Sequence, residues 1–351
     1  MMMRQAVIIV LLVAAFAVGV PTRKQEKPLL EFMSKSYETR FSDPVTFNVR
    51  LNDSSGSPIE GIYVSIYLIA DQVILLGRVK TNESGIASLT VIIDEPPGLY
   101  EVNATCSYGG YDLVASTELV VSKELSEIIL LNQNITVEYS DNASILARIL
   151  TDDSEPISNV SVSLIVFVGG EILSFQSISN NDGYLQFQVP TVGTSNIVVG
   201  EYDIVLSFSG NDFYEPTTYK STMNVIEEQM IIHASTIGKM VVGASIVLLV
   251  HVLDNDGSPV SFAEVRIFID GEIVGIGRTD NQGIYRYSWK PSSAGNHTIV
   301  IKVMKQYYIN ASYVLPVMVE GERGEREFPI VFIVILVFLI TAIVVAYSSR
   351  R

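Results

Sequence analysis

Cysteine is almost absent from this sequence of 351 residues, in which Cys106 stands alone. A single cysteine excludes an intramolecular disulfide. Small secreted domains commonly depend on disulfides for stability. This chain must instead rely on packed apolar cores, and its 48% content of hydrophobic residues is sufficient to build them.

Positive charge is also scarce. The sequence has 23 lysines and arginines against 38 aspartates and glutamates, a formal net charge of −15, and no basic block. This balance excludes nucleic acid as a partner and gives no attraction to an anionic membrane surface. An acidic exterior of this kind is typical of a soluble, well-hydrated surface.

Residues that carry chemistry are few and scattered. The three histidines, His233, His251 and His297, are isolated from one another, whereas a zinc site needs three or four clustered ligands. No nucleophile elbow, zinc-protease motif or phosphate-binding loop occurs. The sequence therefore predicts a protein that is not an enzyme, with no catalytic residue, no cofactor and no bound metal.

The two ends of the chain carry apolar segments. Residues 1–20 have a short basic start, an apolar run and a small-residue cleavage site, which predicts a secretory signal peptide, with an uncleaved anchor as the alternative. Residues 330–347 carry no charge and precede two arginines in the tail 348–351. They predict one transmembrane helix after a charged spacer, 321–329. We expect a single-pass protein of the cell membrane with a large N-terminal extracellular region.

Three similar stretches recur between these ends. Each has a strand-like run, an acidic turn, a proline, an alternating strand, a tight turn at a glycine, and a G-x-Y or G-x-H step that opens another alternating run. The glycine of the tight turn is expected to have a positive φ. The repeat-defining positions are Pro58, Gly85, Gly98 and Tyr100 in the first copy, Pro156, Gly183, Gly200 and Tyr202 in the second, and Pro259, Gly283, Gly295 and His297 in the third.

One of the acidic turns, VLDNDGSPV at residues 252–260, raises the question of a calcium loop. Counting from Asp254, an EF-hand would need glycine at the sixth position and glutamate at the twelfth, where the chain has Pro259 and Val265. The stretch is therefore predicted to be a turn. The carboxylate pairs Asp152–Asp153 and Glu227–Glu228 are interpreted as solvated charge, so a chelator is expected to leave stability unchanged. The alternative is a calcium ion shared by acidic turns at a junction between modules, near Glu227 and Glu228, although these residues lack the oxygen-rich spacing of a calcium site.

The repeat resembles the Ig-like modules of bacterial and archaeal surface proteins, of the invasin/intimin-like or Big type. The resemblance rests on the order G-x-P, T-x-x-x-G and G-x-Y, and on Gly210–Tyr214 as a last hairpin. It implies an all-β fold of three tandem immunoglobulin-like β-sandwiches, at 34–123, 128–227 and 230–320. The G-x-Y step is similar to the tyrosine corner of Ig domains, and His297 puts the corner hydrogen bond of the third copy in doubt.

Asparagine sequons exceed the roughly three that chance would give in a chain of this composition. All lie between the apolar ends, as in an N-glycosylated surface protein of an archaeon or a eukaryote. The candidate sites are Asn52, Asn82, Asn103, Asn134, Asn142, Asn159, Asn296 and Asn310.

Alternation also predicts which way side chains face. With Tyr100 pointing inward, Val102, Ala104 and Cys106 point inward as well, and Asn103 faces solvent. In the third copy Ile299 and Ile301 go inward while Asn296 and Thr298 go out. The aromatic pairs Phe213–Tyr214 and Tyr307–Tyr308 are expected to close the base of a sandwich, with sugar or protein contact as the alternative.

Two functions fit this sequence. The first is a non-enzymatic, membrane-anchored cell-surface protein whose Ig-like modules form an adhesive or structural stalk, with a protein or carbohydrate ligand at the outermost module. The second is an accessory subunit of a membrane complex that binds a sugar or a protein. The lipid bilayer is the partner that both imply.

Overall fold

A computed structural model describes residues 27–193 and 196–321 of the chain. The predicted signal peptide 1–20, transmembrane helix 330–347 and tail 348–351 lie outside these residues, as does all of the spacer 321–329 except Gly321. The regular secondary structure of the described part is strand. Among the described residues, no helix is long and apolar enough to cross a membrane.

The first sandwich pairs a three-stranded sheet, β1-β3-β6, with a five-stranded one, β2-β8-β7-β4-β5. Neighbouring strands are antiparallel except β2 and β8, which run parallel. The first strand lies ahead of the predicted start at residue 34. The strands are β1 (Leu29–Phe32), β2 (Ser36–Arg40), β3 (Pro44–Asn52), β4 (Tyr63–Ile69), β5 (Val73–Lys80), β6 (Ile86–Ile92), β7 (Gly98–Tyr108) and β8 (Tyr111–Ser122).

The second sandwich repeats this topology. Its sheets are β14-β11-β9 and β10-β16-β15-β12-β13, and β10 again runs parallel to the last strand, β16. The strands are β9 (Ser126–Leu130), β10 (Ile135–Glu138), β11 (Asn142–Thr151), β12 (Ser161–Val168), β13 (Glu171–Ile178), β14 (Tyr184–Pro190), β15 (Gly200–Phe208) and β16 (Thr217–Ile226).

The third sandwich has one strand fewer. Its sheets are β17-β18-β21 and β20-β19-β22-β23. In place of a strand equivalent to β2 or β10 it has a single parallel bridge between Val241 and Glu320. The strands are β17 (Met230–Ile237), β18 (Ile246–Asp254), β19 (Glu264–Ile269), β20 (Glu272–Arg278), β21 (Ile284–Trp289), β22 (Gly295–Met304) and β23 (Ala311–Val319).

The chain divides into two compact units. The first holds residues up to Glu127 together with two segments from further along, Thr151–Glu155 and Ser209–Thr217. The second holds Ile128–Leu150, Pro156–Phe208 and the residues from Thr218 onward. The second and third sandwiches thus belong mainly to one unit.

The core of each sandwich lies between its two sheets, and it follows from period-two alternation. In the first sandwich Phe47 of β3 and Val102 of β7, from opposite sheets, are both fully buried in one cluster. On β7 the buried residues are Val102, Ala104 and Cys106, while Tyr100 is half-buried. On β22, Ile299 and Ile301 are fully buried and Asn296 and Thr298 are exposed. The predicted facing of both strands is confirmed.

The acidic turns are closed by their own side chains. Asp53 Oδ1 accepts hydrogen bonds from the backbone N–H groups of Ser55 and Ser57, at 2.8 and 2.9 Å. Asp254 Oδ1 accepts one from Ser258 N–H at 2.6 Å. These side-chain bonds replace backbone partners that the tight turn cannot supply. The stretch 252–260 is therefore a turn, as the sequence predicted.

The G-x-Y steps form corner hydrogen bonds. The Tyr100 hydroxyl donates to Pro96 O at 2.5 Å, and the Tyr202 hydroxyl donates to Val198 O at 2.8 Å. His297 keeps the same contact: its Nε2 lies 3.1 Å from Ser293 O, and a carbonyl can only accept, so Nε2 donates. Its Nδ1 lies 2.6 Å from Asp270 Oδ2. The third corner is preserved by an imidazole with a carboxylate partner.

Candidate functional site: two buried glutamates among acidic turns

Two glutamates follow the last strands of the first and second sandwiches, Glu124 after β8 and Glu228 after β16. Their exposed fractions are 1% and 0%. The backbone holds each one in place: Glu124 N–H donates to Phe213 O at 2.9 Å, and Glu228 N–H donates to Tyr307 O at 3.0 Å. Burial of a charged side chain is costly unless it is paired, so these two positions need a physical explanation.

Aromatic rings cover both positions. Phe41 contacts Phe213 and Tyr214, with ring centroids 4.9 and 6.1 Å apart. In the second unit, Tyr139 contacts Tyr307 and Tyr308 at 5.0 and 5.8 Å. Tyr308 is buried and the other three rings of the predicted pairs are half-buried. Each pair packs against a ring of the preceding sandwich, Phe41 or Tyr139, and these rings lower the local dielectric around each glutamate.

The second unit gathers three carboxylates in what we name cluster 2: Glu138, Asp141 and Glu228. One oxygen from each of them lies within 4.8 Å of the others. Glu228 Oε1 accepts from Gln229 N–H at 3.1 Å, and its Oε2 accepts from Ser140 Oγ at 3.2 Å. Three like charges at this spacing repel one another strongly in a dry site.

The electrostatics of cluster 2 reflect that repulsion. Burial, and then the charges of Glu138 and Asp141, raise the pKa of Glu228 to about 7. Burial and the neighbouring Asp256 carboxyl raise the pKa of Asp141 to about 6. In the absence of a compensating cation, both carboxyls therefore ionise at a higher pH than a carboxyl in water does.

The turn between β18 and β19 borders cluster 2. Asn255 Nδ2 donates to Glu138 Oε2 at 2.6 Å, and the charges of Asp254 and Asp256 act on Asp141. The positive group on this side is Lys305, whose ammonium faces Asp254 and lies 4.5 Å from the centre of the Tyr308 ring. Burial lowers the pKa of Lys305. Its single positive charge does not neutralise the five carboxylates formed by cluster 2 together with Asp254 and Asp256.

The first unit holds the equivalent arrangement, which we name cluster 1: Asp43, Glu124, Asp152 and Asp153. Glu124 Oε1 accepts from Leu125 N–H at 2.9 Å, but its Oε2 is buried without a hydrogen-bond partner. Burial, the Asp152 carboxyl beside it and the charge of Asp43 raise the pKa of Glu124 to about 7. Burial and Asp153 raise the pKa of Asp43.

The clusters differ at one repeat-equivalent position. Arg40 and Glu138 each end the strand that runs parallel to the last strand, three residues before Asp43 and Asp141 respectively. The positive charge of Arg40 lowers the pKa of Asp43, and so partly offsets the increase caused by burial and by Asp153. Cluster 2 has a carboxylate where cluster 1 has a guanidinium, and is the more negative of the two.

Neither glutamate was among the site residues predicted from the sequence. Glu227–Glu228 and Asp152–Asp153 were interpreted there as solvated charge. This holds for Asp152, Asp153 and Glu227, which are exposed, and fails for Glu228. In the structure the alternation of β16 breaks after the strand: Val225 and Glu228 are buried while Ile226 and Glu227 are exposed. The clusters themselves combine residues too far apart in sequence for any spacing motif.

The sequon asparagines lie on the outside of the sandwiches. Asn52 and Asn103 are half-buried and the other six, Asn82, Asn134, Asn142, Asn159, Asn296 and Asn310, are exposed. An exposed amide is what a glycan requires, and glycosylation of these residues stays a prediction. None of the eight contributes a side chain to cluster 1 or cluster 2.

Cys106 is expected to react slowly with a maleimide in the folded protein and rapidly once the protein is unfolded. Its side chain is buried in the core of the first sandwich, and burial raises the pKa of its thiol, which lowers the fraction of reactive thiolate. Mass spectrometry after timed labelling measures the rate with and without denaturant. Equal rates in the two conditions would contradict the inward facing of β7.

Comparison with known proteins yields structural similarity alone. No family model matches the chain, and no curated protein matches it either. Among solved structures, a tetra-tandem repeat from the extending region of a large adhesion protein is 12% identical, with a TM-score of 0.32, over 83% of this chain and 74% of that one. Invasin, described as a bacterial integrin-binding protein, is 16% identical with a TM-score of 0.39, over 84% of this chain and 60% of invasin. Titin domains I67–I69 are 13% identical with a TM-score of 0.30, over 84% and 98%.

Proposed function

We propose that this protein is a non-enzymatic, membrane-anchored cell-surface protein whose tandem Ig-like modules act as a structural or adhesive stalk. The observation that supports the proposal is the recurrence of one sandwich three times, with the same strand order except for the one strand that the third copy lacks. The tight turns at Asn82, Asn180 and Asp280 are each closed by a hydrogen bond to the side chain. A repeated module with no shared catalytic constellation is suited to spacing and presentation. The predicted signal peptide 1–20 and membrane helix 330–347 would place the modules outside the cell.

Adhesion requires a surface that a partner can reach. Glycans at the eight predicted sites would keep much of the protein surface hydrophilic. In this proposal the chain therefore acts through its extracellular modules, and a protein or carbohydrate ligand is contacted by the outermost one. No step of this function needs a chemical reaction.

Surface display of the full chain tests this proposal. An epitope tag between Gly109 and Gly110, in the exposed turn from β7 to β8, should bind antibody on intact cells, and a tag after Arg351 should bind only after permeabilisation. Deletion of residues 330–347 should release the protein into the medium. A turn tag that becomes accessible only on permeabilisation would refute an extracellular role.

A further inference from the structure

The two glutamate clusters recur at equivalent positions of the repeat. In each cluster the negative charge of the carboxylates exceeds the positive charge beside it. Cluster 1 also contains a buried oxygen, Glu124 Oε2, that accepts no hydrogen bond. A buried carboxylate oxygen without a donor costs free energy. After burial, the groups that most raise the pKa of Glu124 are the carboxyls of Asp152 and Asp43, which as carboxylates offer no hydrogen to donate.

We infer that Glu124 and Glu228 are ligands of two divalent cations of the calcium class, held in cluster 1 and cluster 2. Calcium takes six to eight oxygen ligands at about 2.3–2.6 Å in flexible geometry. Two oxygens on opposite sides of such an ion are separated by about 5 Å. The oxygens of Glu138, Asp141 and Glu228 lie within 4.8 Å of one another, a spacing that suits one shared ion.

The remaining groups around each cluster suit a hard cation. Cluster 2 adds the carboxylates of Asp254 and Asp256 beside its three central ligands, and Lys305 is the facing positive group. Cluster 1 combines Glu124 with Asp152, Asp43 and Asp153, and Arg40 is the positive group that acts on Asp43. Carboxylate oxygens without thiolate or imidazole favour calcium over transition metals.

The inference reverses the expectation from sequence that the protein binds no metal. That expectation rested on the ligand positions missing from single turns and on the lack of oxygen-rich spacing around Glu227 and Glu228. Cluster 2 takes its ligands from the end of β10, from the residue that precedes β11, and from the segment after β16. No linear spacing can represent such a site. The inference does not depend on the proposed cell-surface role, because binding is measured on the purified protein.

Calcium titration of the full chain in detergent micelles tests the inference. Equilibrium dialysis against radioactive calcium, up to about 10 mM, should show two bound ions with dissociation constants of about 10⁻⁴–10⁻³ M. Glu124→Gln and Glu228→Gln should each remove one ion. Glu227→Gln is the matched control, since Glu227 is adjacent and exposed, and it should retain both.

Thermal stability gives a second measurement. Calcium at ten times its dissociation constant should raise the unfolding midpoint by about 3 °C for each occupied site. Glu138→Arg introduces at cluster 2 the charge that Arg40 supplies at cluster 1. It should raise the midpoint in EDTA and remove one bound ion. Glutamine variants that bind as much calcium as the wild type, or a wild type that responds to pH but not to calcium, would overturn the inference in favour of a shared proton.

Discussion

Gly85→Ala is expected to lower the free energy of unfolding of the first unit by more than about 3 kcal/mol. Gly85 closes the tight turn before β6 with φ of +72°, a region that costs an alanine about 1–2 kcal/mol. An added Cβ would also lie 2.6 Å from Leu51 O and 3.0 Å from Pro58 Cβ. Since Gly85 O accepts from Leu51 N–H at 2.8 Å, the backbone cannot move aside without losing that bond.

Gly56→Ala is the matched control for this substitution. Gly56 has φ of +86° in the same unit, and an added Cβ would meet nothing within 4 Å. It should show the conformational cost alone, about 1 kcal/mol. Scanning calorimetry of the full chain should therefore show a fall of roughly 10 °C for Gly85→Ala and roughly 3 °C for Gly56→Ala. Similar decreases in the midpoint for the two variants would contradict the prediction that contact of the added Cβ with Leu51 O and Pro58 destabilises the first unit.

The metal-free protein is expected to lose stability by several degrees in its unfolding midpoint as the pH rises from about 5 to about 8. The folded-state pKa values of Glu124 and Glu228 are raised to about 7, and that of Asp141 to about 6. A raised folded-state pKa gives a contribution that is fully present below the unfolded value. It disappears as the pH passes through the folded value.

His297 acts in the same direction. Its hydrogen bond to Asp270 raises the pKa of the imidazole, so the stabilising pair with Asp270 also weakens as the pH rises above that value. The pKa of Asp270 is lowered, first by Thr298 N–H and then by His297, so its contribution is lost only in acid, outside this interval.

Calorimetry in EDTA at several pH values measures this dependence. Glu124→Gln and Glu228→Gln should each flatten the curve and raise the midpoint at pH 8, because they remove a charge that the site resists. Glu227→Gln should leave the curve unchanged. A wild-type midpoint that stays level or rises from pH 5 to pH 8 would contradict the prediction that ionisation of the two clusters destabilises the folded protein.

Much of the fold follows from local patterns. The alternation on β7 identified Val102, Ala104 and Cys106 as core residues, because a half-buried strand permits only two facings. Pro58, Pro156 and Pro259 lie at equivalent bridges with Asn52, Leu150 and Leu253, so the spacing of the prolines reported a real structural repeat. The glycines at 85, 183 and 283 all have positive φ, because a turn of this length requires it.

The buried clusters could not be predicted in the same way. Their members are brought together by the return of the chain through a sandwich, and the spacing of Asp43, Glu124 and Asp152 carries no local signal. The adjacent pair Glu227–Glu228 appeared uniformly solvated because charged residues rarely lie inside. The third corner hydrogen bond could not be predicted either, because His297 stands in place of the tyrosine. The imidazole is held by Asp270, which lies 27 residues earlier in the sequence.

The parallel pairing of an early strand with the last one determines how each sandwich responds to tension. When a module is pulled from its two ends, strands that run parallel at those ends slide past each other, so their hydrogen bonds are loaded together in shear. The pairs β2–β8 and β10–β16 extend over several residues each. The third module has one bridge at this place, between Val241 and Glu320. Of the three described modules, it should therefore yield at the lowest force.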